Sequence, residues 1–230
     1  MNKISIVIPI LNEEATICEL LDHIIENSSK EHIAEILVVD GGSTDHSESI
    51  VKQFEQVTFL KSEKGRAKQM NMGAKNAKGN IFYFLHADSC PPKHFDQLII
   101  DEVKIGNLAG CFKMKFDSNH WWLKLASWLT QFRWRACRGG DQSQFITKVL
   151  FNSIGGFDER FVIYEDNDLI TKLYAMDQFV VIQQWITTSA RRYERNGIWK
   201  LQFHFWMIYI KKRFGASADV LFLYYKKHIN

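Results

Sequence analysis

Three polar clusters in this chain each follow a largely apolar run. Pro9–Glu13 follows Ile4–Ile8, Asp40-Gly41-Gly42-Ser43-Thr44-Asp45 follows Val38-Val39, and His86-Ala87-Asp88 follows Ile81–Leu85. A fourth cluster, Glu165-Asp166-Asn167-Asp168, puts three carboxylates in four residues. A carboxylate leaving a buried strand, as Asp88 does, suits Mg2+ or Mn2+, which prefer oxygen ligands and leave room for diphosphate oxygens. A carboxylate at a helix start, as Asp166, can take the proton of an attacking hydroxyl. Capping and the helix dipole account for one or two such acids without chemistry.

The remaining candidates bind instead of reacting. Asp40 can accept hydrogen bonds from a base or ribose, with Gly41 allowing the backbone to approach a ligand; the plain alternative is a turn cap. His86 reads as a Mn2+ ligand, a donor to phosphate, or a satisfied core imidazole. If its strand continues, it shares a face with Asp88. Arg66, opening a helix, can meet phosphate. Asp141, after Arg138-Gly139-Gly140, sits in a polar segment suited to an acceptor or diphosphate contact. Neither GxxxxGK[ST] nor GxGxxG is present.

Elements that could position these groups alternate in type. Strands are expected at Ile4–Pro9, Ile36–Val39, Val57–Leu60 and Ile81–Leu85, and helices at Glu13–Ile25, Ser47–Phe54 and Arg66–Ala77. That order implies an α/β fold with a parallel sheet, whose ligands bind beyond the carboxyl ends of the strands. The second half is less regular. It suggests strands at Leu108–Phe116, Gln144–Thr147 and Phe179–Gln184, helices at Trp121–Arg135 and Asp166–Met176, and a turn at Gly155–Asp158.

Composition sets the outer bounds. The 230 residues are 46% hydrophobic and 24% charged, as in one large globular domain. Four cysteines without a CxxC pair argue against a zinc ribbon or disulfide scaffold and suit a reducing compartment. No signal-peptide pattern opens the chain, so a cytoplasmic location is expected. The net charge of +3 divides unevenly: residues 191–230 hold nine Lys/Arg and two acids, the first 190 hold twenty and twenty-four. Basic residues do not run through the main domain, which argues against a nucleic-acid partner. The aromatic stretch Ile198–Ile210 and its flanking cations fit either a helix packed on protein, including a homodimer partner, or a peripheral helix at the inner face of a membrane.

Taken in order over residues 3–175, these pieces resemble the glycosyltransferase family 2 enzymes and their GT-A nucleotide-sugar-binding fold. The matching residues are Ile6–Pro9 with Asn12-Glu13, Val38–Asp45, the strand into Asp88, Gly155–Asp158 and Glu165–Asp168. Gly65–Asn71, His86–Asp88 and Thr188-Ser189-Ala190-Arg191-Arg192 further resemble a small bacterial subgroup. The resemblance implies a mixed, mainly parallel sheet and residues 1–195 as the transferase domain. Residues 196–230 would form a helical extension. It implies that Pro9, Asn12, Glu13, Asp40, Gly41, Arg66, His86 and Asp141 bind a nucleotide-sugar, a UDP-sugar by preference. Asp88 would bind Mn2+ or Mg2+, and Asp166 would be the base of an inverting transfer. His86 departs from the family's Asp-x-Asp, which leaves metal binding weaker or completed by a histidine such as His204. Leu11 stands where a tyrosine is common. The same departure motivates a second reading, a non-catalytic nucleotide-binding or scaffolding protein. A nucleotidyltransferase would need a basic glycine-rich loop where Asn12-Glu13-Glu14 stands.

Overall fold

A computed structural model describes residues 2–229. The first strand, β1 (Ile4–Ile10), is buried at every position. Its residues go alternately to two apolar clusters, with Ile4, Ile6, Ile8 and Ile10 in one and Val7 in the other. Along the chain follow α1 (Ile17–Asn27), β2 (Ile33–Asp40), α2 (Ser47–Val51), β3 (Val57–Lys61), α3 (Arg66–Asn76) and β4 (Ile81–Phe84). Then come the short β5 (Ser89–Cys90), α4 (Phe95–Lys104), β6 (Ala109–Phe116), α5 (Trp121–Leu129), β7 (Gln144–Thr147) and α6 (Lys148–Ser153). The chain closes with α7 (Glu165–Ala175), β8 (Val180–Thr188), α8 (Arg191–Asn196), α9 (Ile198–Arg213) and α10 (Ala218–His228).

Among the described residues the strands form one mixed sheet in the order β3-β2-β1-β4-β7-β6-β8-β5. The first four run parallel, β7 is antiparallel to both β4 and β6, and β8 runs parallel to β6. Ile10 pairs with Asp40 on β2, whereas the last residue of β4, Phe84, pairs with Val7. The chain therefore leaves β4 early, and the segment from Leu85 to Asp88 passes the end of β1. This crevice between β1's two neighbours is where open α/β sheets bind ligands.

Helix α3 lies unusually close to the sheet at this point. A Cβ on Gly73 would stand 2.3 Å from Val7 Cγ1, so no larger residue fits without separating helix and strand. One turn earlier, Gln69 Nε2 donates to the carbonyls of Ile10 (2.7 Å) and Val39 (2.8 Å), tying together two strand ends.

Several elements depart from the sequence expectations. The strand expected at Phe179–Gln184 runs on to Thr188, and α4, α6, α8 and β5 have no counterpart among the expected elements. The helix expected over Trp121–Arg135 stops at Leu129. Its end is held by Arg138, which is 2% exposed and whose guanidinium donates to the carbonyls of Thr130 and Phe132. A buried cation on terminal carbonyls substitutes for a glycine or proline stop signal. Helices α9 and α10 pack through Leu201, Ile208 and Leu221 into a third apolar cluster with Leu123 of α5, Phe161 and Tyr193.

Candidate active site

A cavity of about 890 Å³ opens at the carboxyl ends of β1 and β4. Pro9, Asn12, Glu13, Arg66, His86, Asp88 and Asp141 line it, as do Gln69, Arg191 and Arg192. The far wall comes from Lys200 and Phe205 of α9 and from Tyr225, Lys227 and His228 at the end of α10. Seven of the ten residues singled out from the sequence thus share one cavity wall, and Asp166 stands directly behind two of them.

Asn12 sits at φ +57° and fastens the loop after β1 to the turn after β2. Its N–H donates to Ser43 Oγ (2.9 Å) and its Oδ1 accepts from Thr44 N–H (2.8 Å). Asp40 and Gly41 do not line the cavity. The Asp40 carboxylate accepts from Gly42 N–H (3.2 Å), Ser43 N–H (3.0 Å) and Ser43 Oγ (2.5 Å), so it is spent within its own turn. A Cβ on Gly41 would meet Gln69 Oε1 at 2.9 Å; this glycine makes room for Gln69. The turn-cap alternative accounts for the hydrogen bonds that Asp40 makes here.

His86 and Asp88 do not share a face, because β4 has ended at Phe84. His86, 9% exposed, turns inward: its Nδ1 is 3.6 Å from Asp141 Oδ1 and its Nε2 is 3.8 Å from Asp166 Oδ2. Burial and the Arg66 guanidinium push against its protonation, but the two carboxylates outweigh them and its pKa rises. Desolvation works against the Asp141 charge, yet His86, Arg66 and Arg192 hold its carboxyl below the usual range. Arg66 Nη1 donates to Glu165 Oε1 at 3.2 Å and lies 3.8 Å from Asp166 Oδ2. Glu165 is 1% exposed, and burial pushes its carboxyl up to about 7 against the pull of Arg66. Asp166, itself buried, therefore stands between an imidazole and a guanidinium.

Asp88 turns the other way, toward the cavity. Its Oδ2 lies 3.4 Å from Arg191 Nη2, which also donates to Glu13 Oε2 (2.7 Å) and Oε1 (2.9 Å). Among the described residues, no three His, Cys, Asp or Glu side chains converge to hold a metal ion. His204 gives no help to Asp88: its Nδ1 is 2.8 Å from Tyr224 Oη, and it does not line the cavity. Asp88 is one carboxylate facing this part of the cavity that could be offered to a divalent cation, which would need its remaining oxygen ligands from outside the protein.

Gln69, Arg191 and Arg192 line the cavity although no sequence expectation assigns them a role. Their signals were the Gly65–Asn71 and Thr188–Arg192 segments, which marked the subgroup without saying what the side chains touch.

Residues 5–165 match the family described as Glycosyl transferase family 2. The chain belongs to that family. A curated relative, the undecaprenyl-phosphate 4-deoxy-4-formamido-L-arabinose transferase of Proteus mirabilis, is 24% identical over 201 residues, 84% of this chain and 58% of its own. Across the first three curated relatives this family 2 chain spans 32%, 52% and 58% of their lengths. Among solved structures, the mannosyltransferase PcManGT of Pyrobaculum calidifontis, in complex with GDP-Man and Mn2+, superposes with a TM-score of 0.70 at 18% identity. That match covers 97% of this chain and 69% of the other. S. aureus TarS in complex with UDP-GlcNAc gives 0.65 at 19% identity, covering 81% and 58%. The fold is the GT-A fold of these transferases.

Proposed function

We propose that this family 2 chain moves a sugar from a nucleoside diphosphate donor to an acceptor hydroxyl by a single, inverting displacement. The observation that carries the reading is the position of Asp166. Its Oδ2 stands within 3.8 Å of both His86 and Arg66, which line a cavity rich in cations. The acceptor oxygen bonds to the anomeric carbon as the bond from that carbon to the diphosphate oxygen breaks. The proton passes to the Asp166 carboxylate and the electron pair leaves with the diphosphate. Arg66, Arg191 and Arg192 would meet the charge that develops on the leaving group. Asp88 would hold a divalent ion, which when bound supplies Lewis-acid stabilisation of the same diphosphate. Pro9, Asn12 and Glu13 would flank the nucleoside, while Asp40 and Gly41 shape the turn behind them. Residues 1–195 form the transfer domain in this reading, and α9 and α10 of the 196–230 extension close the cavity.

Solved relatives hold UDP-GlcNAc or GDP-Man, which supports a nucleotide-sugar donor and leaves UDP as the first nucleoside to try. The Arg191 contact to Asp88 favours one competing reading, a protein that binds nucleotide without turnover. The deciding experiment is a thermal-shift panel of UDP, GDP, CDP and dTDP with and without Mn2+ or Mg2+, followed by donor turnover in wild type and Asp166→Asn. A nucleotide at about 100 times its Kd should stabilise by roughly 2.7 kcal/mol. Turnover lost in Asp166→Asn with the shift retained supports the base. Normal turnover in that variant rejects it, and binding without turnover in the wild type, across a broad panel of acceptors, supports the competing reading.

A further inference from the structure

The outer surface of α5 and α9 is not built like the rest of the molecule. On α9, Trp199, Phe203, Trp206 and Ile210 recur at helical spacing and are 51%, 54%, 46% and 47% exposed. The opposite side of the same helix buries Leu201 and Ile208. On α5, Trp121, Leu125 and Trp128 repeat the pattern, again facing outward. The two stripes meet where Trp199 packs against Trp121 (5.7 Å between ring centroids) and Trp122 (5.3 Å). Beyond α5 the surface continues from Trp128 to Phe132 (5.0 Å) and from Phe132 to Trp134 (4.8 Å). This is a connected aromatic face, not the scatter of single exposed apolar residues that any soluble protein shows.

Charge identifies what the face would meet. Residues 118–140 and 197–214 hold six of the chain's seven tryptophans and eight Lys or Arg, and no Asp or Glu. Of those eight cations Arg138 is buried, Lys200 lines the cavity and Arg133 pairs with Asp177, while Lys124 on α5 and Arg213 at the end of α9 are exposed. A two-fold dimer through this face would set two copies of a net basic surface against each other. An anionic lipid interface instead offers apolar depth for the rings and phosphate for the cations, and tryptophan with flanking Lys/Arg is the composition of helices that lie in it. Among the described residues no helix is long and apolar enough to cross a membrane, so the contact would be peripheral.

We infer that the α5–α9 face docks this protein onto an anionic membrane surface. The inference does not depend on the transfer chemistry. It does set that chemistry in place, because Lys200 and Phe205 of α9 line the cavity while the other side of the helix carries the stripe.

The test uses the full chain with vesicles of phosphatidylcholine alone and of phosphatidylcholine with a quarter phosphatidylglycerol. Sedimentation with the anionic vesicles only is expected, and should be lost near 1 M NaCl, where the screening length falls to about 3 Å. Brominated lipid should quench tryptophan emission in the same samples, since most tryptophans lie on the face. The double variant Phe203→Glu with Ile210→Glu should reduce binding at least about tenfold, having lost apolar contact and gained repulsion. Its nucleotide-induced thermal shift should match the wild type, which shows that fold and cavity survive. No binding to anionic vesicles at low salt overturns the inference. So does a concentration-dependent dimer that the double variant converts to monomer.

Discussion

Replacing Gly140 by alanine tests the placement of Asp166 more sharply than removing the carboxylate does. A Cβ at this position would stand 2.0 Å from Asp166 Oδ2, 2.7 Å from its Cγ and 3.1 Å from His86 Cε1. Real Cβ contacts scarcely fall below 3.0 Å, so the carboxylate has to retreat by about 1 Å. His86 and Arg66 already occupy its other sides, so the retreat alters its geometry toward the cavity. A misplacement of about 1 Å at a reacting group costs on the order of 100-fold in rate, or about 2.7 kcal/mol of barrier. The assay is release of nucleoside diphosphate from whichever donor the thermal-shift panel selects, with donor binding followed in parallel. Binding should be nearly unchanged and turnover about 100-fold lower. The neighbouring Gly139→Ala is the control: its Cβ meets nothing within 4 Å, and its backbone is extended at φ −162°. Turnover in Gly140→Ala within about threefold of wild type would show that Asp166 is not held where the reaction needs it.

Other perturbations reach different parts of the site. Asp88→Ala should abolish the metal-dependent part of nucleotide stabilisation in thermal shift while the ligand-free melting temperature holds. Glu165→Gln should flatten the dependence of stability on pH. The Glu165 pKa lies at about 7 in the folded protein, above its unfolded value, so its contribution is full in acid and fades as pH rises through 7. Wild type should therefore lose up to roughly 3 kcal/mol relative to the variant between about pH 5 and 8, read from denaturant unfolding. Arg138→Met should destabilise by about 3 kcal/mol in the same measurement, because the Thr130 and Phe132 carbonyls lose their donor.

What the sequence revealed follows from how locally each feature is encoded. The ends of β1, β2 and β4 could be read because continuous apolar runs stop at polar residues, and a parallel sheet brings such stops to one edge. Asp166 and Arg66 could be placed because each opens a helix. Partner choice was beyond reach. Whether Asp40 faces a ligand or its own turn depends on Ser43, and the divergence of His86 from Asp88 depends on β4 ending at Phe84. The stop of α5 was hidden for the same reason, since its signal is a side chain that returns from Arg138. Helix α4 left a fainter trace: its apolar residues Phe95, Ile99 and Ile100 recur at helical spacing but follow Pro91-Pro92, which suggest a loop.

The Glu13–Arg191–Asp88 bridge has a bearing on the order of events at the proposed site. Arg191 is shared between Glu13 and Asp88, so a bare divalent ion approaching Asp88 would meet a guanidinium 3.4 Å from its Oδ2. In the proposed reaction a donor's diphosphate would offer Arg191 a new partner and free Asp88 in the same move. Metal and nucleotide would then favour each other's binding by equal factors, as linkage requires. The resting protein would take free metal more weakly than the nucleotide-loaded protein, so the site would strengthen when there is a substrate to use it on.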